Sequence, residues 1–397
     1  MGGYAVVFAV AAGTTWLLTP LVRRAAIRMG AVVLPSPSPR HVHDRPLPTV
    51  GGAAMFGGFL AAMTVASFIP QFDEMFGASS EALGVILAAG VIFIVGALDD
   101  VRDVSPPAKL AGQVLAASLL YLMGVTMFFF RVPFADFVVL SADWAPLVTI
   151  AWVAVMVNAV NLIDGLDGLA AGIVAIAGLA LFIYADRLFD NGLIRGSNIG
   201  PLVAIVAAGI CIGFLPHNFH PSKIMMGDAG ALLLGLLMAS TTILVGGRTA
   251  DQFSGQTYFF FAPLFIPFLI LGVPILDTVF AVLRRTVRRR SFAVADKDHL
   301  HHRLMRLGHG HRRSVLILWA WTVVLSGLVL LPTFTNEGNA IVVPGVAALG
   351  LGLYVLMHPE VRRGRAKADE DETAGDAGAT PPDADADVVD LESRRHA

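Results

Sequence analysis

Asn158, Asn161, Asp164 and Asp167 recur three residues apart in the stretch NAVNLIDGLDGLAAG, between two apolar runs. Amides and carboxylates at this density offer hard oxygen ligands. Mg2+ takes such ligands, usually one or two carboxylates completed by water and substrate phosphates. Gly165 and Gly168 interrupt the pattern, which predicts that these side chains converge where one helix ends and the next begins. A carboxylate left in hydrocarbon costs about 2.5 to 3.5 kcal/mol on insertion scales, so burial there calls for a cation or a donor. Other segments supply more of both signs. Asp99, Asp100 and Lys109 lie in LDDVRDVSPPAK, Asn218 and Asp228 in PHNFHPSKIMMGDAG, and Arg40, His41, His43 and Arg45 in RHVHDRPLPTVGG. The stretch DKDHLHHRLMRLGHGHRR holds His299, His301, His302 and Arg303, with Arg306, Arg312 and Arg313 nearby. Arginine grips phosphate with a planar, two-pronged set of donors. Acids that hold a cation and guanidiniums that hold phosphate are the parts of a phosphoryl-transfer site.

Each cluster also has a plainer explanation. Asp99 and Asp100 could end a span at the water boundary, Asp167 or Asp228 could cap a helix, and the basic stretch could be an orientation signal that touches anionic lipid. Capping needs a single acid, however, and the stretch from Asn158 supplies two acids and two amides. Zinc is a weaker reading of the histidines, because His301 and His302 are adjacent and point in different directions on a helix or a strand. Neither G-x-x-x-x-G-K-[ST] nor G-x-G-x-x-G occurs in a strand-turn-helix context, which sets aside nucleotide-binding folds. Nothing points to nucleic acid.

The elements that must position these residues lie in a membrane. The 397-residue chain is 56% hydrophobic and only 15% charged, where a soluble domain carries about 25% charge. Apolar runs long enough for a hydrocarbon layer of about 30 Å begin near Tyr4, Gly51, Leu83, Leu110, Leu147, Leu169, Leu202, Ala229, Tyr258, Val315 and Ile341. They predict an all-α polytopic bundle of about 10 to 11 transmembrane helices. The first run, Tyr4 to Leu21, lacks a basic leader and a small-residue cleavage site and is read as a retained span. With the N-terminus outside, the outer loops hold only Arg131, Arg187, Arg195 and Arg248 of the 28 Lys and Arg residues. That bias places the other loops and the C-terminus in the cytoplasm. The inner loops, about 22–50, 99–109, 158–168, 216–228 and 283–314, carry every cluster described above. Residues 1–360 form the expected membrane domain, and 361–397 an acidic, Ala/Asp/Pro-rich tail expected to be disordered. The single cysteine, Cys211, excludes an intrachain disulfide and a multi-cysteine metal site.

The ordered motifs GALDDVRD, NAVNLIDGLDGLAAG, FLPHNFHPSKIMMGDAG and DKDHLHHRL resemble those of the polyprenyl-phosphate N-acetylhexosamine-1-phosphate transferases, glycosyltransferase family 4. The resemblance runs from about Arg40 to Arg313. His-x-His-His-Arg, with Leu300 breaking a histidine run, resembles the branch that uses UDP-N-acetylglucosamine (UDP-GlcNAc), and the extended fourth motif resembles actinobacterial members, whose carrier is commonly decaprenyl phosphate.

The resemblance implies an enzyme of the plasma (inner) membrane, with its active site on the cytoplasmic face, that converts UDP-GlcNAc and a polyprenyl phosphate into polyprenyl-diphospho-GlcNAc and UMP. Decaprenyl and undecaprenyl carriers both fit. It implies Mg2+, with Mn2+ as an alternative ion, held by Asn161 and Asp228. Asp167 would contact the uracil, and Asp99 and Asp100 would lie where the lipid phosphate enters, with Asp164 as a further catalytic acid. Lys109 would face phosphate, Asn218 and His299 would contribute to substrate binding, and His301, His302 and Arg303 would hold the sugar and diphosphate. Where some members place a lysine before the Pro-x-x-Gly-Gly element, this chain has Arg40, His41, His43 and Arg45; Arg45 is the residue assigned here. Asp277 matches a recurrent family position without an assigned role. A homodimer is left open. The alternatives are a phospho-MurNAc-pentapeptide transferase and, in another class, a cation-coupled transporter. A transporter would place its acids near the bilayer midplane.

Overall fold

The computed structural model describes residues 1–30, 32–33, 47–102, 104–131, 137–246, 310–335 and 338–357. The helices are α1 (Gly2–Met29), α2 (Gly52–Ala66), α3 (Asp73–Gly77), α4 (Glu81–Arg102), α5 (Pro106–Leu122) and α6 (Trp144–Ile163). They continue with α7 (Leu169–Asp190), α8 (Gly200–Asn218), α9 (Gly227–Val245), α10 (Gly310–Thr335) and α11 (Val342–Met357). Among the described residues, seven of these are long and apolar enough to cross a membrane: α1, α4, α6, α7, α8, α9 and α10. The chain is therefore an all-α, multi-pass membrane protein.

The run from Gly51 is not one straight span. Its helix stops after 15 residues, about 22 Å at the usual rise, and the chain turns by 93° into the segment Pro70–Gly77. Proline at the head of that segment lacks an N–H and cannot extend the preceding helix. The run from Leu110 gives the 17-residue α5, and that from Ile341 the 16-residue α11. The Tyr258 run and the tail 361–397 lie outside the described residues. Two short antiparallel ladders add to the helical plan: Val32–Val33 with Leu47–Pro48, and Phe129–Arg131 with Phe137–Val139.

Helix α9 lies at the centre, packed by α2, α4, α6, α7 and α8, and every residue from Ala229 to Val245 is buried. Hydrophobicity alone does not hold transmembrane helices together, so close packing at small residues must. Gly96 of α4 faces α9, where a Cβ would lie 2.5 Å from Ala229 Cα, and Gly235 of α9 meets α6, where a Cβ would lie 2.5 Å from Val157 Cα. Hydroxyls inside this dry bundle return to their own helices. Ser240 and Thr241 donate to the carbonyls one turn back, and the Trp152 indole N–H donates to Thr242 Oγ1 at 2.8 Å. The outside is apolar too, with Leu17, Leu87, Leu115, Leu147 and Val323 exposed, as lipid contact requires.

Candidate active site

The end of α4 and the start of α9 meet at a carboxylate-rich junction. Asp99 and Asp100 close α4, and Pro106 and Pro107 open α5, where a missing N–H costs nothing in the first turn. Lys109 in that first turn puts its Nζ 2.9 Å from Asp99 Oδ2 and forms an ion pair with Asp228 Oδ2 as well. Asp99 Oδ1 also accepts the Val104 N–H at 2.7 Å, which fixes the α4–α5 turn. All three charged groups are only part-exposed.

Asp100 has a different job. Its Oδ1 accepts the N–H of Asp228 at 2.7 Å and its Oδ2 the N–H of Ala229 at 3.1 Å. These are orphan donors at the positive end of α9, so a carboxylate from another helix caps it. Gly227 permits the approach: its φ is +68°, and a Cβ there would lie 2.6 Å from both Asp100 oxygens. The segment before α9 is laced to the head of α2, with Met225 N–H donating to Pro48 O, Gly51 N–H to Met225 O and Gly52 N–H to Met226 O.

Asp164 is the C-cap residue of α6 and lies between two acid groups. Desolvation pushes its carboxyl well above the ordinary range, and the neighbouring charges of Asp100 and Asp167 add to the shift. Asn161 is in the last turn of α6. Four residues along α6 from Val157 lead to Asn161, and seven back along α9 from Gly235 lead to Asp228, so both stand at the same end of the α6–α9 seam. Asn158, one turn deeper, exchanges hydrogen bonds with Gln113 of α5 at 2.6 and 3.4 Å.

The second focus is Asp167, whose side chain is 2% exposed. Its Oδ2 lies 2.7 Å from His220 Nδ1 and accepts the Ser222 N–H at 3.1 Å. Its own N–H donates to His311 Nε2 at 3.0 Å. The rings of His220 and His311 stack at 4.2 Å, and Arg312 Nε donates to the His220 carbonyl. Asn218 braces the same corner, accepting the Gly168 N–H at 3.0 Å and donating to Ile224 O. Gly168 rather than Asp167 stands at the N-cap of α7, and the first N–H groups of α9 bond to Asp100, which caps a helix that is not its own.

Asp99, Asp100, Lys109, Asn161, Asp164, Asp167, Asn218 and Asp228 thus gather at one end of the bundle. Arg45, His299, His301, His302 and Arg303, with Asp277, lie outside the described residues. Two imidazoles escaped the sequence reading. His220 stands inside the quoted PHNFHPSK stretch and His311 opens α10 beside Arg312; a histidine in each of two polar stretches was the available signal.

The donor set bears on which ion could bind. Around Asp228, Asp99, Asn161 and Asp164 every candidate ligand is a hard oxygen, and the acids already draw a cation, the Lys109 ammonium, between them. That environment suits Mg2+. Asp167, His220 and His311 also bring three ligand atoms within 4.8 Å of one another. A softer ion there would have to displace the hydrogen bonds that already join them.

Fold and site define a polytopic membrane protein that gathers acids, a lysine and imidazoles from separate loops at one end of a helical bundle. A profile described as glycosyl transferase family 4 matches residues 82–246, the stretch that contains most of these groups. A decaprenyl-phosphate N-acetylglucosaminephosphotransferase of Mycolicibacterium smegmatis is 38% identical over 374 residues, 92% of this chain and 91% of that one. A Bacillus subtilis protein named as a probable undecaprenyl-phosphate N-acetylglucosaminyl 1-phosphate transferase is 36% identical, covering 79% of this chain and 80% of its own. A phospho-N-acetylmuramoyl-pentapeptide-transferase of Desulforudis audaxviator is 33% identical, covering 80% and 96%. The chain belongs to glycosyl transferase family 4.

Proposed function

We propose that this protein transfers GlcNAc-1-phosphate from UDP-GlcNAc to a polyprenyl phosphate, releasing UMP. The observation that carries the reading is the convergence of Asp99, Lys109 and Asp228 beside Asp164 and Asp167, in a chain whose GlcNAc-phosphotransferase relatives match it nearly end to end. Higher identity to those relatives than to the pentapeptide transferase favours the GlcNAc donor. A site at one end of the bundle suits a water-soluble nucleotide that meets a bilayer-bound acceptor, and the Lys/Arg bias favours the cytoplasmic face of the plasma membrane.

An oxygen of the lipid phosphate attacks the β-phosphorus of the sugar nucleotide in line. The bond from that phosphorus to the bridging oxygen breaks, and UMP departs with the electron pair. Reactions of this kind are accelerated mainly by positioning and charge neutralisation. Lys109, steadied by Asp99 and Asp228, offers an ammonium to the phosphate oxygens. Asp99 receives the proton of an acceptor that arrives as a monoanion, a small task because the second pKa of such a phosphate is about 6. Asp228 and Asn161 are the residues to hold Mg2+, which when bound neutralises diphosphate charge. Asp100 keeps Asp228 in register.

The test offers the purified protein UDP-GlcNAc, UDP-GalNAc and UDP-MurNAc-pentapeptide with one polyprenyl phosphate, with Mg2+ or with EDTA, and measures UMP. UMP is expected from UDP-GlcNAc in the presence of the metal. Release from UDP-MurNAc-pentapeptide instead would overturn the donor assignment, and a phosphorylated protein trapped with UDP-GlcNAc alone would overturn the single displacement.

A further inference from the structure

We infer that His220 is a donor-nucleotide contact that recognises the uracil ring, with the buried Asp167 carboxylate fixing its tautomer. The inference rests on UDP-GlcNAc being the donor. The carboxylate named from the family resemblance as the uracil contact is almost fully covered, 2% exposed, whereas the His220 side chain in front of it is 35% exposed. A base that approaches this corner meets the imidazole first.

The two ends of the site differ in what they can accept. At the α4–α5–α9 junction an ammonium faces two acids, and the oxygen donors suit a metal-bound diphosphate. At the α6–α7 turn the hydrogen-bonded Asp167 carboxylate would repel a phosphate, yet His220 stacks on His311 and the neighbouring Phe219 lies 5.6 Å from Trp319. Flat rings and a carboxylate held by hydrogen bonds suit a neutral, planar nucleobase. A sugar nucleotide has both parts, joined by a ribose, and the two ends of the site correspond to them.

The hydrogen bonds determine what the imidazole presents. Asp167 Oδ2 already accepts the Ser222 N–H, and a carboxylate oxygen has no proton to give, so His220 Nδ1 is the donor across the 2.7 Å contact. In a neutral ring that assigns the proton to Nδ1 and leaves Nε2 as an acceptor. Uracil carries an imide N–H on its pairing edge; cytosine has a bare acceptor nitrogen at the same position. An acceptor Nε2 therefore bonds uracil and leaves cytosine with two lone pairs in opposition. Recognition by an acceptor of this type penalises the mismatched base through groups left unpaired.

The test compares wild type with His220→Ala and His220→Gln in detergent or nanodiscs, with inhibition of UMP release by added UMP, CMP and N3-methyl-UMP as the probe. Wild type should be inhibited best by UMP. His220→Ala should narrow the UMP-to-CMP preference by about tenfold, the worth of one hydrogen bond of this kind. It should raise KM for UDP-GlcNAc and leave KM for the lipid phosphate unchanged. Glutamine, which keeps an acceptor at similar reach, should restore part of the preference. If both variants keep the wild-type UMP-to-CMP ratio, at any level of activity, His220 does not recognise the base. If either variant unfolds at a lower temperature, the ratio measured below that temperature still decides. Failure of the underlying reading would look different: wild type itself would release no UMP from UDP-GlcNAc.

Discussion

Asp99 and Asp100 are neighbours of identical chemistry, and the structure predicts that they fail differently when altered. Asp100 accepts two backbone N–H groups at the head of α9, at 2.7 and 3.1 Å. A hydrogen bond to a charged group contributes about 1.5 to 3 kcal/mol net. Asp100→Asn keeps one acceptor and turns an NH2 toward the other backbone N–H, which should cost about 2 kcal/mol; Asp100→Ala loses both bonds and should cost about 3 to 4 kcal/mol. Asp99→Asn weakens a part-exposed ion pair and should cost under about 1 kcal/mol. The assay is thermal unfolding of the purified proteins in parallel with Mg2+ titration of UMP release. Asp100→Asn should unfold earlier and need several times more Mg2+, because Asp228 is no longer held, whereas Asp99→Asn should unfold near the wild-type temperature and lose turnover. If Asp100→Asn matches wild type in both unfolding temperature and Mg2+ requirement, the capping argument is wrong.

Asp164 gives a prediction with a defined sign. Its pKa is raised in the folded protein, so its contribution to stability is full below the ordinary carboxylate range and is lost as pH climbs through the raised value. Asp164→Asn, neutral at every pH, should therefore unfold at a higher temperature than wild type near pH 8 in metal-free buffer and about equally near pH 4. A wild-type slope retained in the variant would contradict this. Lys109→Met leaves Asp99 and Asp228 without the ammonium between them, and turnover should fall by about 100-fold or more. Lys109→Arg should not restore it, since a planar fork does not fit where a point charge sits. Gly96→Ala forces a Cβ to 2.5 Å from Ala229 Cα and should destabilise by about 1 to 3 kcal/mol, whereas Gly90→Ala on the same helix meets open space and should leave the unfolding temperature unchanged or slightly raised.

Much of this site was legible because its residues are costly. Acids and amides in apolar surroundings, as at Asn158 to Asp167, persist only where something offsets their desolvation, so composition alone draws attention to them. The spans were legible for the complementary reason, since a run of apolar residues from Leu169 or Leu202 has few other fates. The division of labour within the pairs was not. Consecutive residues on a helix point about 100° apart, and only the approach of α9 decides that Asp100 caps while Asp99 meets Lys109. His220 and His311 escaped notice because their link to Asp167 joins two loops and the head of α10, far apart in sequence, and no local period marks it. The 93° turn after α2 is similar: Pro70 marks a break, but the direction of the chain beyond it depends on packing.

The position of α9 has a consequence for drug binding. A helix sheathed on every side along its length cannot slide or tilt without dislodging five others, so Asp228 at its tip is a stationary anchor. An inhibitor that grips this carboxylate would pay little to freeze the protein there. Selectivity between related enzymes would then be sought at the opposite rim, where single imidazoles rather than a whole buried rod define the shape.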